Sequence, residues 1–399
     1  MRYKFDSNKY KSHSVRIIKD IANIPEIIDD WKKLIATESY KLPDIDPEHF
    51  LYELESLGTK SKPYIICLIR NGSIVSMIIG RHEETYMTLK VGYLIFYHFK
   101  VKRILIYHRG IIGDKGIDSF LILYYALRHS LQSGEADLAV INHLDCDAEI
   151  YYLLKQFSPF LSISSRPRID ANWVIDLPSS TEAFFMRQSR TQRHKLKRKI
   201  RNLEKSYKIQ VIKYSDEKNL SKAITDSALV SSRTYKDALE IGFHNDQKTR
   251  EYLKVIAQKG WLRFYVLYID TEPVAYEYGL IYGDVLFLKS RGFDYKWRNV
   301  SPGTVLFLKI LQDLIEKEGI KKIDFGFGDA EHKRQFGTQC FQTRSILIFP
   351  YRFYSIILSL AYHVTHGLWK VGIYITKSFK IESKFKRVWK AILITAKHK

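Results

Sequence analysis

The sequence predicts a mixed α/β protein made of two copies of one unit and closed by a basic helical tail. Three observations lead there. A length of 399 residues exceeds one ordinary core, at roughly 100–200 residues per domain. A hairpin pattern, Pro63 to Arg70, Asn71-Gly72, then Ile74 to Gly80, recurs as Leu262 to Ile269, Asp270-Thr271-Glu272, then Pro273 to Gly279. A helix-then-strand pattern, Asp118 to Gln132 with Ala136 to Asn142, recurs as Gly303 to Glu318 with Lys321 to Phe327. Leu68 and Gly80 align with Leu267 and Gly279 at a constant offset of 199, the second pattern recurs at about 185, and one loop-length difference reconciles the two.

In chain order, a strand is expected over Ser14 to Ile18, then a helix with Ile24, Ile27, Ile28, Trp31 and Leu34 at a 3.6-residue period. Asp46 caps a second helix with Pro47 at its first position and Phe50, Leu51 and Leu54 on one face. Asn71-Gly72 between two β-rich runs signals a tight hairpin. Turn formers crowd Ser162 to Asp170 and Asp176 to Thr181. The expected domains are therefore 1–170, 171–350 and a tail, 351–399, that follows the strand Ile346 to Pro350.

Composition narrows the function class. Hydrophobic residues at 46%, with 27 Tyr and 22 Phe, supply a packed core rather than a disordered chain. Cys67, Cys146 and Cys340 are three widely spaced thiols, which match neither a disulfide framework nor a paired metal site and suit a reducing cytoplasm. Met1-Arg2-Tyr3-Lys4-Phe5-Asp6 opens a charged stretch without the apolar core of a signal peptide. Runs such as Tyr93 to Phe99 and Ser355 to Tyr362 fall short of the ~20 residues that cross a bilayer. A cytoplasmic location is expected, with peripheral contact at the inner membrane face as an extension.

A net charge of +21 draws anions: nucleotides, nucleic acid, acidic glycans or anionic lipid. Residues 187 to 213 carry eleven Lys/Arg against Glu204 alone, and residues 350 to 399 carry ten against Glu382 alone. In the first segment Leu196, Ile200 and Leu203 sit at helical spacing within a helix expected from Phe184 to Tyr207, leaving Arg190, Arg193, Lys197 and their neighbours on the outer faces. The second mixes cations with Trp369, Tyr374, Phe379, Phe385 and Trp389. That mixture suits an interfacial helix on anionic lipid, and equally a helix docked on the body.

The stretch richest in chemistry is a strand, Val285 to Phe293, then Asp294 to Gly303, then a helix with Leu306, Phe307, Ile310, Leu311 and Leu314 on one side. Amides at a helix start lack partners within the helix, and the dipole there favours negative charge. Ser301 as cap, Pro302 at the first turn, Gly303 for close approach and Arg298 as the cation thus make a phosphate cradle.

Arg298-x-x-Ser301-Pro302-Gly303 resembles the pyrophosphate loop of the GNAT superfamily, Arg/Gln-x-x-Gly-x-Gly/Ala, and departs from it at Ser301. With Asp324-Phe-Gly-Phe-Gly-Asp329 and Lys333 downstream, residues 180 to 345 look like the bacterial CelD-like acetyltransferase family linked with exopolysaccharide synthesis. The resemblance implies a tandem GNAT-like fold with a degenerate first copy. It implies acetyl-CoA or another acyl-CoA as donor, no metal, and an amine acceptor such as an amino sugar or envelope precursor, attacked directly. Cofactor contacts fall to Arg298, Ser301, Pro302, Gly303 and Arg291, and substrate contacts to Asp324, Gly328, Lys333 and Arg190. Carbonyl polarisation is expected near Ser290 to Phe293. Such a transfer needs a base for the ammonium proton and an acid for the leaving thiolate. Asp329 and Glu277 are the candidate bases, with His332 a further one, and Tyr295 and Tyr278 the candidate acids.

Two other readings share these residues. A Fem-type transferase also has tandem GNAT-like halves but takes its donor from aminoacyl-tRNA, and +21 suits RNA, although no long helical arm is evident. A non-catalytic module could hold polyanion or membrane through the two basic segments.

Overall fold

The structure, a computed structural model, describes residues 13–91, 94–158, 161–165, 169–234 and 242–378. The chain forms two compact units, Met1–Ile169 with Thr343–Lys399, and Asp170–Gln342. The expectations for Met1 to Asp6, for Arg166 to Arg168 and for Phe379, Phe385 and Trp389 lie outside the described residues, as does the side chain of Tyr374.

Unit 1 opens with β1 (His13–Ile18), α1 (Ile28–Thr37) and α2 (Pro47–Leu57). Of the expected helix's first apolar positions, Ile24 links two 3-10 turns that precede α1 and Ile27 ends the second. Asp46 caps α2 by accepting from the Glu48 and His49 amides, as its sequence chemistry dictates. β2 (Ser61–Arg70), β3 (Ser73–Val91) and β4 (Leu94–Gly113) follow as an antiparallel meander. Asn71 and Gly72 both take positive φ, 52° and 80°, which is what a two-residue hairpin turn demands. α3 (Ile117–Gln132) then crosses over to β5 (Leu138–Asp145), which runs parallel to β4. α4 (Glu149–Phe157) and β6 (Ile163–Ser165) complete this part.

Unit 2 repeats the plan: β7 (Asp170–Asp176), α5 (Thr181–Arg187), α6 (Arg190–Ser206), β8 (Ile209–Tyr214), α7 (Leu220–Ser232), α8 (Gln247–Gln258), β9 (Leu262–Ile269), β10 (Glu272–Tyr282), β11 (Val285–Phe293), α9 (Pro302–Asp313), β12 (Lys322–Phe327) and α10 (Glu331–Phe336). Its strands lie in the order β8-β9-β10-β11-β12-β7. Only β11 and β12 are parallel, joined by the α9 crossover; β8 to β11 form an antiparallel run, and β7 closes antiparallel on β12. The helix expected from Phe184 to Tyr207 is two helices, because Gln188 is extended and Ser189 caps α6 by accepting from the Gln192 amide. Val305, Leu306, Phe307, Leu308, Ile310 and Leu311 sink α9 into the core, at about 1.5–3 kcal/mol per buried side chain.

β13 (Gln339–Ile348) begins in unit 2 and ends in unit 1, where Thr343 to Ile348 pair with β5. Unit 1 thereby reads β1-β2-β3-β4-β5-β13, again with one parallel pair. Both units carry the same GNAT-type strand plan, each finished by a strand from outside its own run. Gly80 and Gly279 show why the repeat retains glycine. Each faces a register shift, and a Cβ would meet Leu105 O at 2.6 Å or Phe287 O at 2.3 Å. The expected separate tail differs: α11 (Phe353–Ser378) buries Leu358 against β3 and β4 of unit 1.

Candidate active site

In unit 2 the parallel ladder between β11 and β12 holds for three partners only, Val285 to Phe287 against Lys322 to Asp324. Beyond them each strand irregularity turns the backbones apart. Lys289 is the extra residue of a bulge, since Leu288 pairs with Gly279 and Ser290 with Tyr278, and such a bulge bends a strand and re-aims its amides. On β12 the register shifts between Asp324 and Phe327, where Gly326 takes φ 66°. A cleft opens at the sequence positions expected to polarise a carbonyl, Ser290 to Phe293.

The connection to α9 is a 3-10 turn, Tyr295–Val300, capped by Asp294, which accepts from the Lys296 amide and pairs with Arg233 at 3.0 Å. Ser301 then takes the left-handed conformation, φ 55° and ψ 50°, and its hydroxyl makes no capping bond. The expectation of Ser301 as a side-chain cap is therefore corrected: its carbonyl does the work, accepting from Thr304 and Val305 amides at 3.0 and 3.2 Å. A positive φ is the conformation glycine adopts most readily, so Ser301 stands where the superfamily pattern has glycine at a backbone that suits glycine. Pro302 is buried at the first helical position, and the Gly303 amide has no acceptor within the helix. A Cβ at Gly303 would press to 3.3 Å from the Phe293 ring.

A cavity of about 290 Å³ lies against this turn, with Arg291, Arg298, Tyr295, Gly303, Thr304 and His332 among its lining. The Arg298 guanidinium stacks 4.5 Å above the Tyr295 ring. Arg291 donates to the Gly303 carbonyl at 3.2 Å and stands 3.7 Å from the Glu277 carboxylate. Glu277 is 1% exposed, cross-strand from Arg291, and not among the cavity-lining residues. The geometry makes it the buried counter-charge that aims Arg291 at the start of α9, rather than the expected base, which would have to line the cavity. Gly292 is required by Tyr276, whose ring would lie 2.5 Å from an added Cβ. Burial raises the Tyr276 phenol above its ordinary range, against hydrogen bonds from Ser290 and Ser231. Tyr278 packs on Phe264 and Phe243 and does not line the cavity.

The Asp324 to Asp329 motif holds itself together. Asp324 is buried and accepts from the Gly326 amide at 2.7 Å and from Asn172 at 3.2 Å. Lys333 donates to the carbonyls of Gly326 and Phe327 at 3.0 and 2.8 Å. Gly328, at φ 103°, completes the turn, and Asp329, half exposed, accepts from Arg334 and the Trp173 indole. Asp324, Gly328, Asp329 and Lys333 thus build the strand end and do not line the cavity, nor does Arg190, an exposed residue at the head of α6. His332, from the same α10, does. Sequence reasoning missed Thr304 and Thr234 as lining; the signal for Thr304 was adjacency to Gly303. A larger hollow, about 550 Å³, lies in unit 1 among Lys19, Lys60, Lys62 and Lys102 with Glu84 and Glu135, so size does not identify the site.

Residues 190–334, a stretch contained in unit 2, match a sequence profile described as an acetyltransferase (GNAT) domain. No curated protein sequence matches the chain. Among solved structures the chain is similar to FemX, at 11% identity over 87% of this chain and 100% of that one, TM-score 0.60. It is similar to a conserved protein of unknown function from Bacteroides thetaiotaomicron VPI-5482, at 8% identity over 84% and 100%, TM-score 0.53. It also resembles the C-terminal domain of an Agrobacterium fabrum protein assigned as a lysylphosphatidylglycerol synthetase, at 11% identity over 85% and 96%, TM-score 0.50. At these identities the likeness is one of fold. Among the described residues no cluster of three His, Cys, Asp or Glu is placed to hold a metal, and no helix is long and apolar enough to cross a membrane.

Proposed function

We propose that unit 2 transfers an acyl group from acyl-CoA, acetyl-CoA by preference, to an amine on an amino sugar or envelope precursor, in line with the CelD-like motif. One observation carries the reading: the cavity that joins two guanidiniums, Arg291 and Arg298, to the Gly303 amide beside parting strands. That donor set fits a pyrophosphate, which helix-start amides and fixed cations both favour. Bound acyl-CoA would supply a thioester carbonyl for direct attack by the amine, with release of the thiol.

This chain's residues do the rest. Amides at the Lys289 bulge donate to the carbonyl oxygen as charge develops there. His332 takes the proton from the attacking nitrogen, and the Tyr295 hydroxyl returns one to the departing sulfur. Glu277 keeps Arg291 aimed. Thermal unfolding with free CoA and with acetyl-CoA tests the cradle: stabilisation is expected for the natural chain and its loss, at least a hundredfold in affinity, for Gly303→Trp. A shift that survives this substitution defeats the assignment. His332→Ala should remove the acidic limb of the pH–rate profile while leaving CoA binding intact.

The FemX likeness, which covers all of that chain, favours a second reading, Fem-type transfer from aminoacyl-tRNA. Steeply salt-dependent tRNA binding, unaffected by acetyl-CoA, would select it.

A further inference from the structure

α11 has two faces of different fate. Ser355, Leu358 and Ser359 are fully buried, and Ala361 and Tyr362 pack on the cluster of Met87, Leu89, Val101 and Leu105. Tyr354 donates to the Lys100 carbonyl at 2.8 Å. The other face carries Phe353, Ile357, Leu360, Val364, Leu368 and Val371, all exposed, Phe353 at 83%. Five steps over eighteen residues is one residue per helical turn, so these side chains form a single stripe about 27 Å long at 1.5 Å per residue. Scattered exposed apolar residues need no explanation, but a continuous stripe marks a contact surface.

The stripe has a neighbour. The far end of the β3–β4 hairpin exposes Tyr86, Ile95, Phe96 and Tyr97. Tyr97 meets Phe99 edge to face at 4.7 Å and Phe99 meets Tyr354 at 6.4 Å, which ties this apolar end to the start of α11. Charge identifies the occupant. No Asp or Glu occurs from Phe353 to Ser378, Lys90 and Lys102 stand exposed on the hairpin, and residues 379–399 add seven Lys/Arg against Glu382 alone. A second copy of the chain would bring the same cations face to face at +21 each. A bilayer with anionic headgroups offers the opposite sign and an apolar layer for the stripe.

We propose that α11 and the β3–β4 hairpin of unit 1 form one docking surface for an anionic membrane, with the α11 stripe lying in the headgroup layer. The inference stands apart from the acyl-transfer reading, because it uses no residue of the unit 2 cavity. It places the protein where an acceptor held in a membrane would be presented.

Co-sedimentation of the full chain with vesicles of 30% phosphatidylglycerol in phosphatidylcholine tests it, beside pure phosphatidylcholine vesicles. Binding is expected to the anionic vesicles, weakened at least tenfold by 0.5 M salt. Val364→Glu with Leu368→Glu, and separately Ile95→Glu with Phe96→Glu, should each weaken partitioning at least tenfold; all four sites are exposed, and unchanged circular dichroism will verify the fold. Equal binding by either pair of variants, equal binding to neutral vesicles, or none at all overturns the proposal. So does a dimer, by sedimentation velocity, that Val364→Glu with Leu368→Glu dissociates while vesicles are ignored.

Discussion

Two helix starts occupy the same place in the two strand plans and carry opposite chemistry. In unit 1 β4 leads to α3 through Asp114-Lys115-Gly116. Asp114 accepts from the Gly116 amide at 2.9 Å and the Ser119 hydroxyl at 2.7 Å, and pairs with Arg70 at 3.2 Å. The Gly116 amide above all, then Ser119, holds its carboxyl below the ordinary range. Glu38 reaches across to the Gly113 amide and to Lys115. In unit 2 the first turn of α9 has no acid, and Arg291 and Arg298 stand beside it. One turn is neutralised by its own carboxylates; the other presents two guanidiniums, of which Arg291 alone is backed by the buried Glu277. Under the proposed function, the charge at a single turn is what would separate a structural half from a binding half of one duplicated scaffold.

The largest expected effect falls on the buried pair that aims the unit 2 turn. Arg291→Ala leaves Glu277 ionised in the core, which costs about 3–5 kcal/mol of stability. Glu277→Gln with Arg291→Met should recover most of that loss, because replacing both partners of a buried pair is often neutral, yet it should not recover CoA binding. Chemical denaturation of the two variants measures stability, and calorimetry with CoA measures binding. Full stability in Arg291→Ala would dissolve the pairing.

Binding stoichiometry breaks the comparison more directly. Calorimetry should find one CoA per chain, and Arg298→Ala should weaken it by about 1.5–3 kcal/mol, the value of a charge-assisted bond. Asp114→Asn in unit 1 should not create a second site, because Glu38 still holds the Gly113 amide. Two CoA molecules per chain would erase the distinction.

Unit 1 also carries a buried titratable ring away from its helix start. The His108 ring is buried where the strands of its own parallel pair end, and donates through Nδ1 to the His143 carbonyl at 2.7 Å. Burial first, then the Arg109 charge, push it down to about 3, with Asp44 opposing. Its unfolded counterpart titrates near 6.5. Between those values the unfolded chain binds a proton that the native chain refuses, so stability falls as pH drops from 6.5 towards 3, by up to about 1.4 kcal/mol per pH unit. His108→Gln should flatten that slope in denaturant midpoints measured between pH 6.5 and 4.5. An unchanged slope would mean that the ring is charged or solvated.

Much of this scaffold was legible in the chain. Asn71-Gly72, Asp46-Pro47 and the recurring glycines carry their conformations in their chemistry, because few residues tolerate those backbones. Arg298 to Gly303 was legible as a cradle for the same reason. The rest depended on register and shape. Glu277 faces Arg291 because of a bulge at Lys289, which no periodicity announces. Asp324 and Lys333 look like ligands in sequence, but once the turn at Gly326 forms, the nearest groups for them are its own amide and carbonyls. The tail reads equally as an interfacial helix and as a docked one until the face that buries Leu358 is known.

The smallest effect discriminates most finely. Sequence chemistry makes Ser301 a cap, while the structure gives it a left-handed backbone and no side-chain bond. A lost cap costs about 1 kcal/mol when replaced by a residue that cannot bond. A β-carbon at positive φ costs roughly 1–2 kcal/mol, relieved by glycine. Ser301→Gly should therefore stabilise unit 2, by about 0.5 kcal/mol once the added freedom of the unfolded chain is subtracted, and Ser301→Ala should leave stability unchanged. Thermal unfolding of the two variants separates the cases by sign. If Ser301→Ala loses about 1 kcal/mol instead, the hydroxyl is bonded to the helix start, and the turn cradles its anion with one donor fewer than proposed.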